Sequence, residues 1–414
     1  MLNRRAFLKN GSMALVTLGF APAFITRAVH AARARQKVLV AIFQRGAVDG
    51  LNMVVPFGER AYYQARPSIA IPAPSAQAAD RAIDLDGFFG LHPRMAPLQP
   101  LFANGSLAIV HASGSPDETR SHFDAQDYME SGTPGVKSTR DGWLNRYLHS
   151  QEHERASPFR AVALASQLPR SLQGTAPALA LNTIDQFGIR TGNGGGEGVA
   201  STFEAEYAGA ADALLHPAGR EAFDAVKMLQ QTKPSEYAPA NGAEYPRSGF
   251  GQALRQIAQL IKADLGLEVA FTELSGWDHH VNEGAATGQL ATRLDDFSKG
   301  LAAFARDLGD GLSDVVIVTM SEFGRAVQEN GNRGTDHGHG NAMLVFGGPI
   351  KGGKVYGKWP GLEREQRWEN RDLAITTDFR DVFAELVTHH LGATDVSKVF
   401  PGYQYKQPLG IIRA

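Results

Sequence analysis

The stretch that most limits what this chain can fold into is Val315 to Asn341, VVIVTMSEFGRAVQENGNRGTDHGHGN. Val315 to Met320 is apolar or β-branched and stops abruptly at Ser321-Glu322-Phe323-Gly324-Arg325. A short run without polar alternation is buried on both faces, which places it inside a parallel sheet covered by helices. In such sheets the chemistry gathers just beyond the carboxyl ends of the strands. The loop that follows carries Asp336, His337 and His339, an acid and two imidazoles able to converge on a cation or an anionic substrate.

Other stretches repeat this layout. Lys37 to Phe43 reads as a first buried strand and ends in the Gly-punctuated loop Gln44 to Asn52, which holds Arg45 and Asp49. Taken alone, Asp49 also suits a turn in which its carboxylate accepts backbone N–H groups. Ser106 to His111 reads as a strand leading into Ser115 to Asp124. There, Ser121 with Asp124 three residues later predicts a capping box and a helix to about Met129. Val269 to Leu274 ends in Ser275-Gly276-Trp277-Asp278-His279-His280, and Ala178 to Leu181 and Ala342 to Phe346 are further strands. Between them run helical stripes at Leu254, Ile257, Ala258, Ile261 and Leu265, and at Leu294, Phe297, Leu301, Phe304 and Leu308. A last helix from Asp378 ends in His389 and His390, which suit the negative end of the helix dipole.

Strands alternating with helices predict a doubly wound α/β sheet with helices on both faces. One large α/β domain over 35–414 is expected, with an insertion or cap at about 186–247, a Gly-rich and then Pro-rich polar stretch.

The 414 residues carry a net charge of −2 and no Lys/Arg run, which excludes a general affinity for nucleic acid or an anionic surface. Residues 1–34 read as a twin-arginine export signal, with Arg4-Arg5, an apolar run from Met13 to Ile25 and small-residue cleavage sites such as Val29-His30-Ala31. That run is shorter than the roughly 20 residues of a spanning helix, so no stable membrane anchor is expected. The twin-arginine translocase is then a partner during export, and the periplasm is the expected location. With no cysteine, the fold is expected to rest on its core without disulfides.

The strand ends and the adjoining loop supply a set of ligand-type residues: Asp49, Asp278, His280, Glu322, Asp336, His337 and His339. In an extended Trp277–His280 segment, Asp278 and His280 point to one side and His279 to the other. Oxygen and imidazole ligands without sulfur suit Zn²⁺ or Mn²⁺, and a carboxylate-rich half suits Mg²⁺ or Ca²⁺. Ser121, at a helix N-terminus, is the candidate nucleophile, and Arg45, Arg120 and Arg325 are candidates for clamping phosphate or sulfate oxygens.

RGAVDGLN, TRSHFDAQ, GWDHH, SEFGR and GTDHGHGN, in this order behind a twin-arginine signal, resemble the exported bacterial family designated domain of unknown function 1501, from about Lys37 onward. That family is grouped with the alkaline phosphatase and sulfatase superfamily. The resemblance implies a three-layer α/β/α sandwich, alkaline phosphatase-like, with a mostly parallel central sheet and a one- or two-metal site acting on phosphate or sulfate esters. By motif, Asp49 matches the ligand after the first strand, Ser121 or Thr119 the nucleophile, Asp278 and His280 the middle pair, and His337 or His339 the late histidine. Two positions depart from the pattern. Glu322-Phe323 stands where active superfamily members carry an Asp-His pair, and Ala47-Val48 stands where the family favours Gly and Ala.

The expected function is therefore a periplasmic metal-dependent hydrolase of phosphate or sulfate esters, small-molecule or polymer. A catalytically silent binding or assembly protein on the same fold and a metal-dependent phosphotransferase or phosphomutase are the alternatives. The substrate, the metal and the oligomeric state are not legible in the sequence.

Overall fold

The structure, a computed structural model, describes residues 36–151, 157–184 and 236–413. The expected export signal at 1–34 lies outside these residues, as does most of the expected insertion at 186–247. No helix among the described residues is long and apolar enough to cross a membrane.

The centre of the molecule is a sheet built from β1 (Val38–Arg45), β5 (Leu107–Gly114), β6 (Ala161–Leu164), β7 (Leu179–Leu181), β8 (Val269–Ser275), β9 (Val315–Met320), β10 (Asn341–Gly347), β11 (Lys354–Tyr356) and β12 (Thr377–Asp378). Their spatial order is β11-β5-β10-β9-β1-β8-β6-β7, with β12 beside β5. Every neighbouring pair is parallel except those of β10, which runs antiparallel to both β5 and β9. A small antiparallel sheet, β2 (Val54–Val55), β3 (Ile83–Asp84) and β4 (Gly90–Leu91), lies apart.

The strand pleat sorts the core into two layers. Val38, Val40 and Ile42 of β1 pack into the same cluster as Leu254, Ile257, Leu294, Phe297 and Leu301, whereas Leu39, Ala41 and Phe43 pack with Trp143, Leu144, Phe379 and Phe383. Helices α3 (Gly249–Lys262) and α4 (Gln289–Leu308) therefore cover one face, and α2 (Trp143–Ser150) and α5 (Phe379–Glu385) the other. This is the three-layer α/β/α sandwich expected from the sequence.

Helix α1 (His122–Ser131) starts at Ser121, but not through the predicted capping box. The Ser121 side chain makes no cap bond, and Asp124 is drawn off by Lys137 at 2.8 Å. Gly132, at φ 67°, ends the helix two residues beyond the predicted boundary. At the far end of the chain α5 continues as one π-helical turn, where the buried His390 donates from Nε2 to the Val38 carbonyl at 3.0 Å.

Candidate functional site

Adjacent strands β9, β1 and β8 end level with one another, because Phe43 pairs with Met320 and Arg45 with Ser275. The segments that follow, Gly46–Asp49, Gly276–His280 and Ser321–Arg325, are thereby brought together at one edge of the sheet. Arg325 ties them. Its buried guanidinium donates to the carbonyls of Gly46 (2.6 Å), Ala47 (2.7 Å), Trp277 (3.1 Å) and Thr335 (3.1 Å), and to Asp278 Oδ1 at 2.5 Å. Gly46 sits at φ 111°, where a Cβ would lie 2.9 Å from the Asp278 amide nitrogen, so this approach requires glycine. Ala47 follows at φ 59°, a left-handed conformation costing an alanine about 1 kcal/mol or more. The Arg325 bond to the Ala47 carbonyl holds that conformation in place.

Four side chains converge beyond these loops. His122 Nε2 lies 3.0 Å from His337 Nε2 and 3.5 Å from Asp278 Oδ2. Asp278 Oδ1 lies 3.3 Å from His337 Nε2, and the ligand atoms of His122, Asp278 and His337 all fall within 4.8 Å of one another. His280 Nε2 joins at 3.0 Å from His337 Nε2 and 3.1 Å from Asp278 Oδ1. The opposite nitrogen of each imidazole is held by an acceptor. His122 Nδ1 meets Glu322 Oε1 at 2.8 Å, His280 Nδ1 meets Asp336 Oδ1 at 3.2 Å, and His337 Nδ1 meets the Arg120 carbonyl at 2.9 Å. Carboxylates and carbonyls only accept, so each Nδ1 carries a hydrogen, and in a neutral ring the Nε2 turned toward the others is then a bare acceptor. The His337 Nε2 lies between those of His122 and His280 and beside the Asp278 carboxylate, an arrangement that favours a cation, a proton or a metal ion, among them. Imidazoles fixed through the far nitrogen by a carboxylate or carbonyl are also how metal-binding histidines are held. The residues present fit a divalent metal.

The electrostatics follow from the same contacts. Glu322 raises the His122 pKa above its ordinary 6.5, with burial opposing, whereas burial lowers that of His337. Burial works against ionisation of Asp278, but Arg325, His280 and His122 hold it below the usual carboxylate range. Glu322 is likewise buried, and its bonds to His122, Gln126 and the Gly46 amide outweigh the desolvation. The Asn330 amide lowers Asp336. Phe323 forms the wall of the site, its ring centroid 5.0 Å from those of both His122 and His337.

Of the residues expected as ligands, the structure brings Asp278, His280 and His337 together. Glu322 and Asp336 stand behind them, orienting His122 and His280. Asp49 is elsewhere: it is the buried ion-pair partner of Arg66 and caps the turn at Leu51, so its oxygens are taken. His339 is also outside the cluster, stacked on Trp368 with ring centroids 5.0 Å apart, and burial pushes its pKa down to about 4. The expected oxyanion clamps are committed to the protein. Arg45 is spent on Glu273 (2.5 Å), Glu130 (2.9 Å) and Gln126 (3.0 Å), Arg120 on Asp372 and Glu369, and Arg325 on the loops it joins. Ser121 is exposed, beside His122, and its amide donates to Thr119 Oγ1 at 3.2 Å.

His122 was not anticipated. It lies within TRSHFDAQ, where the serine before it reads as a helix cap and hides the imidazole at the first helical position. The signal was the missing partner at Glu322-Phe323, since a carboxylate at that strand end needs an imidazole from another segment.

The fold and site together define a three-layer α/β protein with a His/Asp group able to hold a metal ion at the edge of its sheet. The family model described as protein of unknown function (DUF1501) matches residues 36–399, and the chain belongs to this family. Among solved structures, it is similar to the crystal structure of the PsFucS1 sulfatase from Pseudoalteromonas sp., with 13% sequence identity and a TM-score of 0.39, covering 94% of this chain and 75% of that one. No curated protein matches the sequence.

Proposed function

We propose that this protein is a metal-dependent hydrolase of phosphate or sulfate esters that works in the periplasm after export. The twin-arginine signature supports the location. The observation that carries the hydrolase reading is the convergence of three imidazole lone pairs and the Asp278 carboxylate at the N-terminus of α1. Nitrogen and oxygen donors with three imidazoles favour Zn²⁺ or Mn²⁺ over Mg²⁺ or Ca²⁺. A divalent ion bound there supplies Lewis acidity toward a phosphoryl or sulfuryl oxygen. One carboxylate against two positive charges leaves the centre net positive, and the free amides at the start of α1 add to its pull on an anion.

Ser121 is the hydroxyl of this chain best placed to attack. It is exposed, immediately precedes His122, and its side chain makes no cap bond. Every imidazole Nδ1 nearby is already engaged, so acidification of the Ser121 hydroxyl rests on the local positive field rather than on a histidine base.

The test is the metal content of protein purified from periplasm without chelators, followed by hydrolysis of 4-nitrophenyl phosphate and 4-nitrophenyl sulfate. Bound Zn or Mn with turnover that Ser121→Ala abolishes at full metal occupancy supports the reading. Protein that takes up no metal sinks it. One observation favours a silent binding role instead, namely that no guanidinium is free at the site. Metal-loaded protein inactive on both esters would select that role.

A further inference from the structure

Arg120, Arg371, Asp372 and Glu369 form a charged group that the metal-binding residues leave unused. Asp372 is fully buried and accepts from both guanidiniums. Arg120 reaches its Oδ2 from Nε at 3.1 Å and from Nη2 at 2.7 Å, and Arg371 Nη1 reaches Oδ1 at 3.0 Å and Oδ2 at 3.1 Å. Two positive charges thus share one buried negative charge. The second counter-charge is Glu369, whose Oε2 accepts from Arg120 Nη2 at 2.6 Å. The two carboxylates are unequal partners. The Glu369 side chain is 54% exposed, and an ion pair so open to water adds little to stability. Its backbone lies at φ 50° and that of Asn370 at 56°, a left-handed conformation that a glutamate adopts only at a cost. Glu369 is therefore held against Arg120 by a weak contact on a strained turn.

The guanidiniums also have donors to spare. Arginine carries five N–H groups. Among the described residues, Arg120 Nη1 makes no hydrogen bond, and neither do Nε and Nη2 of Arg371. Arg45 and Arg325, in contrast, spend all three nitrogens inside the protein. The group also adjoins the metal site. The Arg120 carbonyl accepts from His337 Nδ1 at 2.9 Å, and Ser121 follows it in the chain. Ala326 pairs with Asp372 in a β-bridge and donates its amide to the carbonyl of Asp336 at 2.9 Å, the residue whose carboxylate holds His280.

We propose that Arg120 and Arg371 are the oxyanion clamp of this site, and that Glu369 is a stand-in carboxylate which the anionic group of the substrate displaces. This rests on the hydrolase reading above and answers the observation that counts against it. The guanidiniums are engaged, but one of their partners is exchangeable. With Glu369 turned into solvent, two guanidiniums and Asp372 leave one net positive charge, which the oxygens of a phosphate or sulfate group neutralise. Planar N–H forks suit those oxygens, and the spare donors of Arg120 and Arg371 are there to meet them. Asp372 stays bonded to both arginines throughout, so the exchange needs no repacking of the core. A neutral ester has nothing to offer in place of a carboxylate, so the group selects anionic substrates.

The experiment is calorimetric titration with inorganic phosphate, in Zn-loaded and in metal-free protein. Glu369→Gln is expected to bind phosphate about fivefold more tightly than wild type, since an anionic competitor is removed. Arg120→Ala weakens binding about tenfold or more, and Arg371→Gln weakens it less. Because Glu369 acts through Arg120, its gain disappears in the double variant Arg120→Ala, Glu369→Gln, which binds like Arg120→Ala to within about twofold. Glu365→Gln removes an exposed acid four residues earlier and changes affinity by less than about twofold. Metal-free protein shows the same order at lower affinity. Should Arg120→Ala not fold, Arg120→Lys keeps Asp372 paired, gives up the planar fork and shows the loss in its place. An unchanged affinity in Glu369→Gln, an equal gain in Glu365→Gln, or a gain that survives without Arg120 overturns the clamp. So does the absence of phosphate binding in both wild type and Glu369→Gln. Wild type that binds in this pattern but hydrolyses neither nitrophenyl ester keeps the clamp and removes the hydrolase reading.

Discussion

Two clusters of ligand-type side chains lie behind the same sheet edge, and they differ in one respect. Around Asp49, both carboxylate oxygens have their donors in one guanidinium. Arg66 takes both oxygens of Asp49 and spends its remaining hydrogens on Asn52 Oδ1 (2.8 Å) and the carbonyls of Val327 (2.9 Å) and Ala326 (3.0 Å). Burial and the Asp49 charge raise the Glu283 pKa well above its ordinary value, and its Oε2 accepts from the Thr335 hydroxyl at 2.7 Å. Around Asp278 three Nε2 atoms and a carboxylate converge, and in neutral rings those nitrogens are acceptors without donors. Carboxylates at strand ends are common to both clusters. What marks the second as a site is the convergence of three Nε2 atoms on one carboxylate, a property of geometry that residue type alone does not carry.

The sharpest way to break this contrast is to unbalance the closed cluster. Asp49→Ala leaves the Arg66 guanidinium buried without a counter-charge, and we expect a loss of roughly 3–5 kcal/mol in urea unfolding. A loss below about 1 kcal/mol would mean that the pair does not hold the fold. The open cluster is expected to respond in the opposite way. Without metal, the double variant His122→Ala, His337→Ala loses little stability, since it removes facing lone pairs. With Zn²⁺ at a hundred times its dissociation constant, wild type gains about 2.7 kcal/mol and the double variant gains nothing. Calorimetric melting with and without Zn²⁺ measures both. A metal-free double variant as unstable as Asp49→Ala would erase the distinction.

Much of the fold was legible because burial writes itself into sequence period. The β1 and β9 runs and the α4 stripe of Leu294, Phe297, Leu301, Phe304 and Leu308 are dominated by apolar residues on the buried side, and they fold as read. The reversal of β10 was not legible, since a strand buried on both faces has the same composition in either direction. The site was legible where the residues follow a strand directly, as at Asp278 and His280. It was obscured where two roles compete for one residue type. Asp49 and His339 match the ligand pattern, but their environments are decided by Arg66 and by Trp368, 17 and 29 residues away in the chain. His122 was hidden because the helix start explained its neighbourhood without it. Glu322 was read as a ligand when its carboxylate instead aims at an imidazole from a segment 200 residues earlier.

The smallest expected effect tests that last contact. Glu322→Gln keeps an oxygen for His122 Nδ1, the Gly46 amide and Gln126, so the fold is retained. Loss of the charge makes His122 a poorer ligand, and Zn²⁺ affinity at pH 8 is expected to fall about tenfold, the low end for residues behind a metal ligand. The pH dependence gives the sign. In the metal-free protein Glu322 stabilises the protonated imidazole, so the His122 pKa lies above 6.5. Zn²⁺ must displace that proton, and wild-type affinity therefore starts to drop as pH falls through this raised value. With glutamine the imidazolium loses its support, protonation is postponed to lower pH, and the drop starts later. The two affinity curves should thus converge as pH falls from 8 toward 6. Parallel curves in competition titrations would show that Glu322 positions His122 without influencing its charge.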